Sequence, residues 1–270
     1  MPELPEVETT CRGIAPFVNG KVVSDVIVRE HRMRQPIPRQ LPRILTGQSV
    51  HSVTRRAKYL LLQMDRGHLL LHLGMSGSLR IIEKETLPQR HDHVDIVFDK
   101  LALRLRDPRR FGMVLWMEIP PLQHPLLCKL GPEPLGDDFN GEYLYKKSRR
   151  RSVAVKQFIM NSHIVVGVGN IYASEALFRA GIRPTRAAGR ISEQRYQLLA
   201  EAIRTVLSEA IRQGGTTLRD FQQQDGRPGY FAQQLEVYDK QGEPCPACGS
   251  PIKILAIGQR SSYFCAKCQR

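Results

Sequence analysis

The segment CPACGSPIKILAIGQRSSYFCAKC, near the end of the chain, carries four thiols in two pairs. Cys245 and Cys248 form one C-x2-C, Cys265 and Cys268 form the other, and sixteen residues separate them. Four thiolates at this spacing suit a tetrahedral zinc ion, and a closed four-cysteine set leaves no open position for a substrate. The predicted chemistry is structural: one Zn2+ stiffening the hairpin between the pairs. Two disulfides, or four core thiols, are the competing readings. The hairpin carries Arg260 near its tip, in GQRSS, where it is either a phosphate contact or a solvated charge.

Other stretches have the residue types of polyanion binding. In VVGVGNIYASE, Gly167 and Gly169 frame a turn before a helix start, where backbone N–H groups attract phosphate. A tight turn with no ligand fits the same letters. The run Lys146, Lys147, Arg149, Arg150, Arg151 and Lys156 precedes it. Lys58 opens an apolar strand in RRAKYLLL, beside Arg55 and Arg56. LGMSGSL and RDPRRFG are turn-flanked tips bearing Met75, Arg109, Arg110 and Phe111, side chains suited to wedge a duplex open or, alternatively, to fill a core. The opening MPELPEVETT sets two prolines and three glutamates within eight residues, more than a helix entry requires.

The bulk numbers agree with a polyanionic partner. The formal net charge is +14, with 29 arginines against 11 lysines, and arginine forks match phosphate and base edges. A GC-rich genome also favours Arg codons but does not account for the net charge. YLLLQM and HLLLHLGM are strand-sized, well short of the ~20 residues of a membrane span. A soluble intracellular protein is expected, where six cysteines point to metal before disulfides.

These residues need elements to hold them. Pro5 to Phe17 reads as a helix, with Val7, Cys11, Ile14 and Val18 at helical spacing, Gly20 as its stop, and Pro16 as an earlier kink or end. Between 22 and 118, VVSDVIV, SVHSVT, YLLLQM, HLLLHL, SLRII, HVDIVF, ALRLR and GMVLWM read as short strands of an antiparallel β-sandwich. PEPLGDDFNGEYLYKKSRRR reads as a hinge. Three helices follow: VAVKQFIM; NIYASEALFRAG, with Asn170 as N-cap and Gly181 as stop; and SEQRYQLLAEAIRTVLSEAIRQGG, capped by Ser192. Cys11 and Cys128 are expected as core thiols and Glu8 as an ordinary helix-surface residue. The fold class is α+β multidomain. Its parts are a β-sandwich over 1–131, a linker over 132–151, a helical domain over 152–235 and a small cysteine-bearing module over 236–270.

In series, PELPEVET, RRAKYLLL, HLGMSGSLR, HDHVD, DPRRFG, GVGNIYASEALF, GGTTLRDF, DGRPGYF and the GQR before a C-x2-C resemble bacterial formamidopyrimidine-DNA glycosylase, in order and over essentially the whole chain. The resemblance implies a β-sandwich with its opening helix, a helix–two-turn–helix domain and a zinc finger. It implies a monomeric, cytoplasmic, nucleoid-associated repair enzyme without an organic cofactor. Such an enzyme excises 8-oxoguanine and formamidopyrimidines from damaged double-stranded DNA, then nicks the abasic strand by β,δ-elimination.

It also gives the opening a reason. Met1 is expected to be cleaved before a small residue such as Pro2, leaving a secondary amine. A chain-terminal amine titrates near ~7.7–8.0 and lysine near ~10.4, so far more of the former is nucleophilic at neutral pH. By the resemblance Pro2 is the nucleophile, Glu3 the general acid–base and Glu6 a supporting carboxylate. Lys58, Asn170 and Arg260 grip the phosphates flanking the lesion, with Lys58 and Arg260 also the family's suggested proton donors. His91, Arg109 and Arg151 contact DNA; Met75, Arg109 and Phe111 fill the hole left by the extruded base. TTLRDFQQQDGRPGYF closes over that base, and Glu175 partners the glycine turn. Asn161 stands where the family usually has an acid, and Arg151 where a Lys is common. Two alternatives share much of the pattern: an endonuclease VIII-like glycosylase for oxidised pyrimidines, and a non-catalytic zinc-ribbon protein that binds damaged DNA.

Overall fold

The computed structural model describes residues 2–214 and 235–270. The chain divides into two units, one built on the residues up to Cys128, the other on Lys129–Ala210 with the described residues from 235 onward.

The first unit opens with α1 (Leu4–Val18), which places Pro5 in its first turn and passes through Pro16 without ending there. Leu4, Val7, Cys11, Ile14 and Val18 line its buried face, as their spacing requires. Then come β1 (Asp25–Val28), the short helix α2 (Leu41–Leu45), β2 (Val50–Arg56), β3 (Tyr59–Met64), β4 (Gly67–His72), β5 (Ser78–Glu83), β6 (Asp92–Phe98), β7 (Leu101–Arg106) and β8 (Met113–Met117). They form two antiparallel four-stranded sheets, ordered β1-β6-β7-β5 and β2-β3-β4-β8. Alternate residues such as Leu60, Leu62, Leu69, Leu71, Ile96 and Leu103 meet α1's stripe in one core. All eight strands read from alternation and turn signals are present; α2 was not foreseen.

The outer face of the first sheet is closed by ions. Arg104 donates from Nε and Nη2 to the Asp95 carboxylate, each at 2.7 Å, and Arg29 donates to it at 2.6 Å. Burial opposes the charge on Asp95, but the hydrogen bonds from Arg104 and Arg29 hold its carboxyl below the usual range.

The second unit is helical. The segment 132–151, expected as a hinge, contains α3 (Gly141–Ser148), capped where Asn140 Oδ1 accepts the Tyr143 N–H at 2.8 Å. Its Leu144 is fully buried, so apolar packing overrides the turn-rich spelling. Next are α4 (Val155–Met160), α5 (Asn170–Arg179) and α6 (Glu193–Gly214). Ser192 Oγ accepts the Arg195 N–H at 3.4 Å at the start of α6. Phe158, Ile159, Ala173, Leu177, Leu199 and Ile203 form the shared core. The β9 (Lys253–Ile257) and β10 (Arg260–Phe264) strands make the terminal hairpin. Cys11 is buried as expected, whereas Cys128 is exposed and not a core thiol, because its neighbour Leu127 is the residue turned inward there. Among the described residues, no helix is long and apolar enough to cross a membrane.

Candidate active site and nucleic-acid interface

Pro2 directly precedes the cap of α1 and is partly accessible. Glu3 is the N-cap and is 2% exposed. Its side chain accepts the main-chain N–H of Glu6, and Glu6 Oε2 accepts the N–H of Glu3 at 2.8 Å. This reciprocal capping fixes the backbone next to Pro2. Two carboxylates thus stand at the positive end of a helix dipole.

Ala57 and Lys58 form the two-residue turn between β2 and β3, with Arg56 paired to Tyr59. Glu8 is not the plain surface residue its letter suggested. Its Oε2 accepts from Arg55 Nε at 2.8 Å, and Arg55 Nη1 donates to the Ala57 carbonyl at 2.8 Å. His72 lies near Lys58 and Arg34. Burial first, then those two cations, depress its pKa to about 4, and its Nδ1 accepts the Gly74 N–H at 3.0 Å. The imidazole is therefore neutral at physiological pH, inside a basic patch that sequence reading did not assemble.

Met75 and Phe111 are 38% and 42% exposed, so neither is a core residue. The Arg109 guanidinium stacks 4.8 Å from the Phe111 ring centroid. Both tips are braced by Asp107, which is fully buried. Its Oδ1 accepts from Ser76 Oγ at 2.8 Å, and its Oδ2 accepts the Gly112 N–H at 2.7 Å. Gly74 has φ +62, and a Cβ there would sit 2.5 Å from the Phe111 carbonyl carbon, so only glycine lets the two tips meet. His91 enters at φ +76, its carbonyl accepting the Asp107 N–H at 3.0 Å. Asp107 stands within DPRRFG, but nothing in that local spelling shows that it joins both tips; its partner Ser76 is 31 residues away.

In the second unit, Asn170 is the first residue of α5, and Gly169 occupies the cap position instead. Freed from capping, Asn170 Nδ2 donates to the Ser261 carbonyl at 3.0 Å. Lys156, 1% exposed, donates to the same carbonyl at 3.1 Å and to Ser262 Oγ at 2.8 Å. The residue beside Ser261 is Arg260, exposed at the start of β10. Gly258 and Gln259, at φ +55 and +60, make the two-residue turn that turns the hairpin there. Helix α5 and the hairpin thus share one polar joint beneath Arg260. Arg151 is exposed, its Nε donating to the Lys147 carbonyl at 2.8 Å. Among the described residues, no hydrogen bond joins the Glu175 carboxylate to the glycine turn. Instead Glu175 accepts the N–H groups of Glu236, Val237 and Tyr238 at 2.7, 3.0 and 2.8 Å. Burial raises its pKa against the pull of those three donors.

The four sulfurs of Cys245, Cys248, Cys265 and Cys268 all lie within 4.8 Å of one another, with pairs at 3.9 and 3.5 Å. A disulfide needs about 2.05 Å. A tetrahedron of thiolates at a zinc–sulfur distance of ~2.3 Å has edges of ~3.8 Å. The donor set fits one structural zinc and excludes the disulfide reading. The proposed lesion-covering segment TTLRDFQQQDGRPGYF, and Met1, lie outside the described residues.

Family models for the formamidopyrimidine-DNA glycosylase N-terminal domain, its H2TH domain, and the zinc finger found in FPG and IleRS match residues 1–114, 130–222 and 242–270. The chain belongs to the formamidopyrimidine-DNA glycosylase family. It is 59% identical to the formamidopyrimidine-DNA glycosylase of Thioalkalivibrio sulfidiphilus over the full length of both chains. Among solved structures it resembles the Lactococcus lactis FPG (MutM) in complex with a Fapy-dG containing DNA, at TM-score 0.90 and 30% identity, covering 99% of this chain and 100% of that one. It also resembles MutM in complex with carbocyclic 8-oxo-G containing DNA, at TM-score 0.89 and 31% identity, with both chains fully covered. The family's two outer domains therefore map onto the α1–sandwich unit and the cysteine hairpin described above.

Proposed function

We propose that this protein excises oxidised purines, 8-oxoguanine and formamidopyrimidines, from duplex DNA and then cleaves the abasic strand. The observation that carries the reading is the cap of α1, where Pro2 abuts a buried Glu3 held by Glu6. Two relatives are named as complexes with Fapy-dG and 8-oxo-G DNA, which supports the purine assignment.

Once Met1 is removed, the Pro2 nitrogen has a lone pair. It forms a bond to C1′ of the damaged nucleotide while the glycosidic bond breaks; the electrons leave with the base, which takes up the proton that the Pro2 nitrogen sheds. Glu3 protonates the ring oxygen as the sugar opens, giving an iminium between Pro2 and C1′. That cation acidifies C2′; loss of its proton expels the 3′-phosphate, and a second elimination expels the 5′-phosphate. No oxidant or organic cofactor enters the balance. Lys58, Asn170 and Arg260 hold the flanking phosphates, and His91, Arg109 and Arg151 contact the DNA. Arg260 acts by contact rather than proton donation, because a guanidinium hardly deprotonates. Flipping the target costs a few kcal/mol of stacking, and Met75, Arg109 and Phe111 offset part of it from within the duplex. Zinc supplies rigidity to the hairpin bearing Arg260. The enzyme acts as a monomer in the cytoplasm, on DNA of the nucleoid.

The test is a comparison of 8-oxoguanine and thymine glycol duplexes under single turnover. Preferential release of 8-oxoguanine, with a gap flanked by phosphates on both sides, is expected. Preference for thymine glycol would assign the protein to oxidised pyrimidines instead, and inertness on both would leave a damage-binding protein.

A further inference from the structure

The helix that carries Glu3 also reaches the turn that carries Lys58. Glu8 on α1 accepts Arg55 Nε at 2.8 Å, with the two side chains only 19% and 10% exposed. An ion pair so withdrawn from water is less screened than a surface pair. The same guanidinium donates its Nη1 to the Ala57 carbonyl at 2.8 Å. Ala57 is buried and has φ +55, a left-handed conformation that disfavours a residue carrying a Cβ. Such a conformation persists only where neighbouring contacts over-determine it. Lys58 is the next residue. The other Glu8 oxygen takes Arg12 Nε at 2.7 Å, but Arg12 is 62% exposed and ends the chain of contacts in solvent.

We propose that Glu8 is a positioning residue which, through Arg55 and the Ala57 carbonyl, sets Lys58 relative to the amine end of α1. The inference rests on the proposed role of Lys58 at the phosphate. Nucleophile and phosphate grip then share one tether, and loosening it misplaces the sugar in front of Pro2 without removing any group that touches DNA.

A double-mutant cycle tests this, read as the excision rate on an 8-oxoguanine duplex at saturating enzyme under single turnover. Glu8→Gln is expected to slow excision about tenfold or more in the wild-type background, the scale of a sub-ångström misplacement. In the Lys58→Ala background the same change is expected to cost less than about twofold, since coupled positions are not additive. Arg12→Ala is expected to leave the rate unchanged. Arg55→Lys keeps a cation but not the fork that spans both oxygens, so it should show the same dependence on Lys58, and it serves if Glu8→Gln folds poorly. An equal loss in both backgrounds, or no loss in the wild type, would overturn the inference. A full rate in Lys58→Ala alone would instead remove Lys58 from the grip, and the tether with it.

Discussion

Glu6 Oε2 accepts the main-chain N–H of Glu3 at 2.8 Å, while the Glu3 side chain accepts the N–H of Glu6 in return. The bond requires an acceptor rather than a charge. Glu6→Ala should destabilise the protein by about 1 kcal/mol, as lost caps do, and lower the saturated excision rate. Glu6→Gln keeps an oxygen in place and should retain most of both. Urea denaturation and single-turnover excision check this pair. An equal fall in the two variants would show that the carboxylate charge is what matters.

Asp107 Oδ1 accepts Ser76 Oγ at 2.8 Å and the Arg109 N–H at 3.3 Å, one from each tip, and its Oδ2 accepts the Gly112 N–H. Asp107→Ala leaves that N–H buried without this acceptor, a loss of about 1–3 kcal/mol. With the tips unbraced, Met75 and Phe111 no longer share one geometry. The affinity ratio between an abasic-site analogue and undamaged duplex should fall, and titration of the two duplexes measures it.

His72 makes stability depend on pH. Its folded pKa, about 4, lies below the ordinary value near 6.5, with burial the largest cause, followed by Arg34 and Lys58. Between those values the unfolded chain binds more protons than the folded one, so stability falls as pH falls. The loss from this group alone should be roughly 1–2 kcal/mol between pH 6.5 and 5. Urea midpoints of the wild type and of His72→Asn at the two pH values isolate it, the variant showing the shallower dependence.

The β-strands and the zinc site were legible because their signals are local. Strand period and turn residues lie within a few positions of each other, and two C-x2-C pairs carry their own geometry. Other features needed partners far along the chain. Glu8 meets Arg55 across 47 residues, and nothing beside Glu8 announces it. Asn170 stood correctly at a helix start, but the cap fell to Gly169 because the Asn side chain is drawn to Ser261, 91 residues on. The segment 132–151 misled for the opposite reason: its glycines and asparagine spell a turn, yet Asn140 is a helix cap and Leu144 is core.

A closed set of four thiolates predicts how the metal behaves. One equivalent of zinc per chain is expected, and its removal should weaken binding to an abasic-analogue duplex at least about a hundredfold by melting the β9–β10 hairpin. Cobalt(II) in its place should give a tetrahedral thiolate spectrum and an unchanged saturated excision rate. Metal analysis, spectroscopy and single-turnover excision check these outcomes. A rate that tracks the identity of the metal would place the ion in the chemistry.

The proposed chemistry requires a bond between the Pro2 nitrogen and C1′ of the lesion nucleotide. Borohydride reduction during turnover on an 8-oxoguanine duplex, followed by peptide mass mapping of the product, tests it most directly. A stable protein–DNA adduct whose sugar remnant sits on Pro2, in protein lacking Met1, is expected. An adduct mapped to a lysine such as Lys58, no adduct at all, or full activity in protein that keeps Met1 would contradict it.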